Sequence, residues 1–284
     1  MTYLAIYVLT TSTFAQLLRF GQRRGATLAT IVAVNYVVAF CVTSAWSTAR
    51  YSAVTGNTLT LVALGLTNGV LYFVHLLVVL AAFRLVGVGI AIAVYTTANV
   101  TPVFVAWALW GDVVSTPQWV AVALLPFAVF LMRPATPPTA DRPFATLKAD
   151  LVLFLGFAMA GVITTIHKAA EVYGTGGDRP AYNVSLFAAA AVSSVAYAVW
   201  RRRRATRFEM RLGAVVGAIN SANLILLLLS LTYLDTAVVF PVSTCLVIIV
   251  NMVGGRILWG EVVRRHQMIG VVLALAVVCL TNID

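Results

Sequence analysis

Acidic side chains are scarce in this sequence. Nine of its 284 residues are Asp or Glu, against nineteen Lys and Arg, and all charged residues together make up 10%. A water-soluble domain carries about a quarter charged residues, because its surface has to be covered by polar groups. The composition therefore excludes an ordinary soluble exterior. Cysteine is also sparse: Cys41, Cys245 and Cys279 each fall within an apolar stretch, with no CxxC pair and no ligand spacing, so free buried thiols are expected. The three histidines, His75, His167 and His266, stand in separate stretches, and no Ser, His and acid constellation accompanies them. No catalytic set, metal centre or cofactor is expected on these grounds. A GxxxxGK[ST] motif is missing too, which removes ATP as a direct energy source. The first apolar stretch follows Met1 with no basic leader and no small-residue cleavage pattern, and is expected to be a retained span.

What the sequence has in abundance is apolar residues, at 61%. About 20 of them in succession cross a hydrocarbon core, and ten runs approach that length, near 2–18, 26–46, 59–83, 87–109, 117–132, 149–170, 181–200, 212–232, 236–257 and 266–282. The expected fold is all-α: a polytopic bundle of ten transmembrane helices. The clearly polar stretch 133–148, RPATPPTADRPFATLK, reads as a surface linker, since its prolines oppose helix and its polarity opposes burial. It separates residues 1–132 from residues 149–284, five runs on each side.

The two halves repeat. LWGDVV at 109–114 recurs as LWGEVV at 258–263, and at the same displacement Gln118 meets Gln267, Val122 meets Val271 and Leu124 meets Leu273. An odd number of spans followed by its own copy sets that copy upside down in the membrane. Inverted repeats of this kind are a plan of secondary transporters, with the substrate held near the midplane at the repeat interface.

On these residues the chain resembles the drug/metabolite transporter superfamily, and within it the ten-span EamA-type proteins. TPVFVAWALWGDVVSTPQWVAV looks like that family's Pro-containing helix ending in Gly and an acid, and GGRILWGEVVRRHQMIGVVLALAVV matches its tail, with Asn251 where the first copy has Pro102. NYVVAF, from Asn35 to Phe40, is similar to a subset of these proteins. The resemblance covers essentially the whole chain. It implies export or exchange of a small organic metabolite or drug by alternating access, and leaves the substrate open. A non-transporting receptor or a membrane-embedded enzyme on the same bundle is the alternative.

Candidate substrate contacts are the polar residues set inside apolar runs. Asn68, Tyr72 and His75 share one face of the third run by their spacing of four and three. Tyr95 and Asn99 share a face of the fourth, Asn220 and Asn223 stand on the eighth, and Ser243 and Thr244 on the ninth. Lipid does not tolerate repeated Asn and His, so these faces turn inward, either to bond neighbouring helices or to line a cavity. Asp112 and Glu261 read as caps of the helices that follow them. Gly213 with Gly217, and Gly254 with Gly255, read as packing positions.

The net charge of +10 does not point to nucleic acid, because the arginines gather at the ends of apolar runs, where they meet anionic headgroups and set orientation. Fifteen of the nineteen basic residues fall in odd-numbered links, and only Arg50, Lys168 and Arg179 fall on the opposite side. The odd-numbered links are accordingly expected in the cytoplasm of a cell-membrane protein, with both termini outside, although the resemblance implies the reverse. If Arg84 marks the cytoplasmic edge, His75 lies about 13 Å inward at 1.5 Å per residue.

Overall fold

The computed structural model describes residues 2–48, 58–98, 101–111, 115–132, 143–174, 179–202, 205–233 and 236–280. Among these residues the chain is helical, with no strand. The helices are α1 (Thr2–Arg23), α2 (Leu28–Thr48), α3 (Thr58–Leu85), α4 (Val88–Thr97), α5 (Thr101–Val105), α6 (Thr116–Leu131), α7 (Pro143–Tyr173), α8 (Arg179–Trp200), α9 (Arg207–Tyr233), α10 (Thr236–Trp259) and α11 (Arg265–Leu280). Among the described residues, four stretches of helix are long and apolar enough to cross a membrane: Leu28–Ser47, Thr58–Leu85, Leu147–Ala170 and Pro180–Trp200. By that measure this is a helical membrane protein. All six tryptophans of the sequence, at positions 46, 107, 110, 119, 200 and 259, stand within a turn or so of a helix end, as amphipathic rings do at headgroup level. Large apolar side chains such as Leu9, Phe127, Phe130, Phe154, Val192 and Ile257 are exposed, an arrangement that suits lipid.

Two departures from the sequence reading are local. Residues 143–148 belong to α7 and not to the linker, because Pro143 opens the helix at a position where its missing N–H is not needed. The thiols are free, but Cys41 and Cys279 are exposed, not buried. An apolar run in lipid need not turn every apolar residue inward, since the outside is as apolar as the core.

The chain divides into two compact units, one of residues 1–12, 78–165 and 227–284 and one of residues 13–77 and 166–226. Each takes segments from before and after the linker. In the first unit α10 packs on α4, and α11 packs on α6 and α4. Gly89 of α4 allows this approach, since a Cβ there would stand 3.0 Å from the Met252 Cα of α10. Ile248, Val88, Val94, Ala128, Met132 and Val277 fill the core.

In the second unit α2 packs most extensively on α8. Gly213 and Gly217 seat α9 against α2: a Cβ on Gly217 would meet the Asn35 carbonyl oxygen at 2.7 Å, and one on Gly213 the Ile31 carbonyl oxygen at 3.0 Å. This is the packing role their spacing suggested.

Glu209 joins two helix starts in the second unit. Thr206 and Glu209 form a reciprocal capping box on α9: the Thr206 N–H donates to Glu209 Oε2 at 2.9 Å, and the Glu209 N–H donates to Thr206 Oγ1 at 3.2 Å. The N–H of Thr27, just before α2, donates to Glu209 Oε1 at 2.5 Å. Burial alone would raise this carboxyl, but the backbone donors of Thr206 and Thr27 outweigh it and hold it below its ordinary 4.5. A depressed folded value means the contribution is complete above the unfolded value and lost as pH falls through the folded one. Acid titration of thermal stability is therefore expected to show a decline that begins near pH 4.5 and continues below it. Glu209→Gln should flatten that decline and lower stability at pH 7; an unchanged acid limb would remove the role given to Glu209.

Candidate functional site: a polar chain inside the second unit

α3 carries a stripe of small and polar residues at helical spacing: Thr58, Val62, Gly65, Asn68 and Gly69, Tyr72, His75. The glycines bring α8 against it. A Cβ on Gly65 would lie 2.6 Å from the Tyr182 carbonyl oxygen, and one on Gly69 would lie 2.1 Å from that of Leu186. The backbones are thus close enough for short side chains on one helix to reach the other.

Four side chains use this closeness to form one continuous hydrogen-bonded chain over α3, α7 and α8. Asn68 Nδ2 donates to Tyr182 Oη at 2.6 Å. Tyr182 Oη lies 2.9 Å from His167 Nδ1, and His167 Nε2 lies 2.8 Å from Tyr72 Oη. Both tyrosine rings meet the imidazole edge-on, with centroids 5.7 and 5.5 Å away. Each ring nitrogen of His167 thus faces a phenol oxygen, a group that can both donate and accept. Asn68 is fully buried. The chain begins near the first turn of α8 and reaches Tyr72, halfway along α3.

A second polar group ties α2 to α9 and α3. Asn220 Nδ2 donates to Asn35 Oδ1 at 3.2 Å, and the Tyr36 hydroxyl donates to the Tyr72 carbonyl at 3.0 Å. The Asn35 Nδ2 and Asn223 Oδ1 atoms are buried with no hydrogen-bond partner among the described residues, one an open donor and the other an open acceptor. A cavity of about 290 Å³ lies near the starts of α3 and α8, lined by Ser44, Ser47, Thr58, Val62, Ala181, Val184 and Ser185. Ser185 also donates to the carbonyl of Tyr182, so cavity and chain share adjoining stretches of α3 and α8.

The candidate residues thus fall apart into groups. Asn68 and Tyr72 are brought together, Asn220 pairs with Asn35, and His75 is half-buried three residues beyond Tyr72. The imidazole bonded to Tyr72 is that of His167. Tyr95, Ser243 and Thr244 belong to the first unit. Tyr95 lies over Gly156 of α7, with its hydroxyl 3.4 Å from the Val152 carbonyl, a packing arrangement. Ser243 and Thr244 are buried on α10. Asn99 lies outside the described residues, as does Asp112. Sequence reasoning passed over His167, Tyr182 and Asn35 as contacts. An imidazole inside the apolar run 149–170 was the available signal for the first of them.

Glu261 has a different target from the one its position suggested. Its carboxylate reaches the start of α4, where Val88 N–H donates to both oxygens at 2.9 and 3.0 Å and Gly89 N–H to Oε2 at 3.4 Å. The helix after it, α11, is capped by Gln267, whose amide oxygen accepts the Arg264 N–H at 3.0 Å. α4 itself is ten residues long, and α5, beginning at Thr101, runs into a π-helical turn at Ala106–Trp110. A ten-residue helix rises about 15 Å, half the thickness of a hydrocarbon core. Among the described residues no three His, Cys, Asp or Glu side chains converge in a way that would hold a metal ion.

No family model matches the chain, and no match was found among the curated proteins.

Proposed function

We propose that the protein is a secondary transporter that moves a small organic molecule across the cell membrane by alternating access, on the ten-span inverted-repeat plan of the drug/metabolite transporters. The observation that carries the reading is the chain Asn68–Tyr182–His167–Tyr72. Four polar side chains gathered from three helices inside an apolar bundle suit a ligand site or a path. The duplicated LWG-acid motif supplies the repeat itself.

The chain offers amide, phenol and imidazole groups, which hydrogen-bond without full charge. Together with the open donor of Asn35 and open acceptor of Asn223, it suits an uncharged substrate that both donates and accepts. Screening such compounds by thermal shift on the purified protein should find stabilising ligands. His167→Ala is expected to weaken a ligand at least about tenfold, the equivalent of roughly 1.4 kcal/mol. Tyr95→Phe, at a packing position in the first unit, is expected to leave affinity unchanged. Equal affinity in wild type and His167→Ala would remove the chain from the site.

The arginine bias places odd-numbered links in the cytoplasm and both termini outside. On that orientation the cavity at the starts of α3 and α8 opens toward the outside. A reporter active only in the cytoplasm, fused after Asp284, is expected to be silent; activity there would reverse the orientation.

A further inference from the structure

α10 and α11 form a hairpin joined by the short link 260–264. Cys245 stands fourteen residues before Trp259, the last residue of α10, and Cys279 fourteen residues after Arg265, the first of α11. At 1.5 Å per residue both thiols lie about 21 Å from the link, so the antiparallel register sets them at the same height. Rotation about the helix axes completes the match: the two sulfur atoms are 4.0 Å apart. Cys41, the remaining cysteine, is on α2 in the other compact unit.

From this register and separation we infer that Cys245 and Cys279 are a modification site, a dithiol that closes to an intramolecular disulfide and clips α11 to α10. A disulfide bond is about 2.05 Å long, and side-chain rotation between two facing helices supplies the closure. Cys279 is exposed, one residue before the end of α11, whereas Cys245 is half-buried between the helices. Cys279 is therefore the thiol that meets the oxidant, a small disulfide such as oxidised glutathione. Its thiolate attacks one sulfur of that disulfide and forms a mixed disulfide, releasing the first glutathione thiolate. The Cys245 thiolate then attacks the Cys279 sulfur and releases the second. Both cysteine protons end on the released thiolates, and the two electrons reduce the glutathione disulfide.

The bond would link two packing arrangements of the first unit. α10 carries the contact with α4 through Met252 and Gly255, and α11 carries the contact with α6 through Gly270, which sits against Ala128, Leu131 and Met132. Closing the hairpin also shortens the loop available to the unfolded chain, which raises thermal stability.

The test uses the purified full chain, oxidised with glutathione disulfide or copper–phenanthroline, then alkylated and digested for mass spectrometry. The sequence holds three cysteines, so free thiols are expected to fall from three to one. A peptide joining Cys245 to Cys279 should appear and Cys41 should remain alkylated. The melting midpoint should rise and return on reduction. In Cys245→Ala, Cys279 should keep glutathione as a stable mixed disulfide, which demonstrates access. Alkylation of both Cys245 and Cys279 after copper–phenanthroline, or links formed only through Cys41 between molecules, would overturn the inference.

Discussion

Gly69→Ala is expected to lower the melting midpoint of the purified protein by about 5–10 °C, which corresponds to roughly 2–3 kcal/mol of overpacking. The added methyl would stand 2.1 Å from the Leu186 carbonyl oxygen and 2.8 Å from the Ala189 Cβ. Neither neighbour is the far end of a flexible side chain, so α3 and α8 must move apart. That separation falls on the 2.6 Å bond between Asn68 and Tyr182, one residue from the substitution. Ligand stabilisation should therefore weaken along with the fold. Gly260→Ala is the comparison: its φ of +65° strains an alanine, yet nothing lies within 4 Å, so only the conformational cost of about 1–2 kcal/mol applies. A Gly69→Ala protein that melts with the wild type would show that α3 and α8 are not in contact at this position.

Glu261→Ala should release the start of α4. The carboxylate accepts from the Val88 and Gly89 N–H groups, and a lost cap with a dipole contribution costs about 2 kcal/mol. Amide exchange at Val88 and Gly89 should accelerate by roughly thirtyfold, the same energy expressed as an opening equilibrium. Glu261→Gln, which keeps an acceptor oxygen and loses the charge, should fall between. Gly87→Ala should also disturb this junction, because Gly87 has φ +88° and a Cβ there would lie 2.5 Å from the carboxylate. Wild-type exchange at both amides in Glu261→Ala would contradict the cap.

Much of the helix plan was legible because apolar runs of membrane length are separated by Gly, Pro, Arg and Asp, which mark helix ends. Pro143 shows the limit of that reading: the same residue that forbids helix inside a segment begins one at its first position. The shared face of Asn68 and Tyr72 was legible from spacing. Their partners were not, since Tyr182 and His167 stand 114 and 95 residues away in the chain. Spans that are apolar nearly all round do not announce which face meets which neighbour. Glu261 carries the same lesson, being read as a cap for the next helix while its partner lies 173 residues upstream. The thiol pair Cys245 and Cys279 escaped notice for a related reason, because the antiparallel register of a hairpin, and not local spacing, aligns them.

Counterflow in proteoliposomes separates transport from binding alone. Vesicles containing the purified protein are loaded with the compound that stabilises it best, then diluted into a trace of the same compound carrying a label. Label is expected to accumulate transiently inside wild-type vesicles and not in protein-free vesicles, at a rate at least about tenfold lower for His167→Ala, on the same scale as its loss of affinity. Ligand binding by correctly inserted wild-type protein with no exchange of trapped compound would contradict transport and leave a membrane protein that binds without moving its ligand.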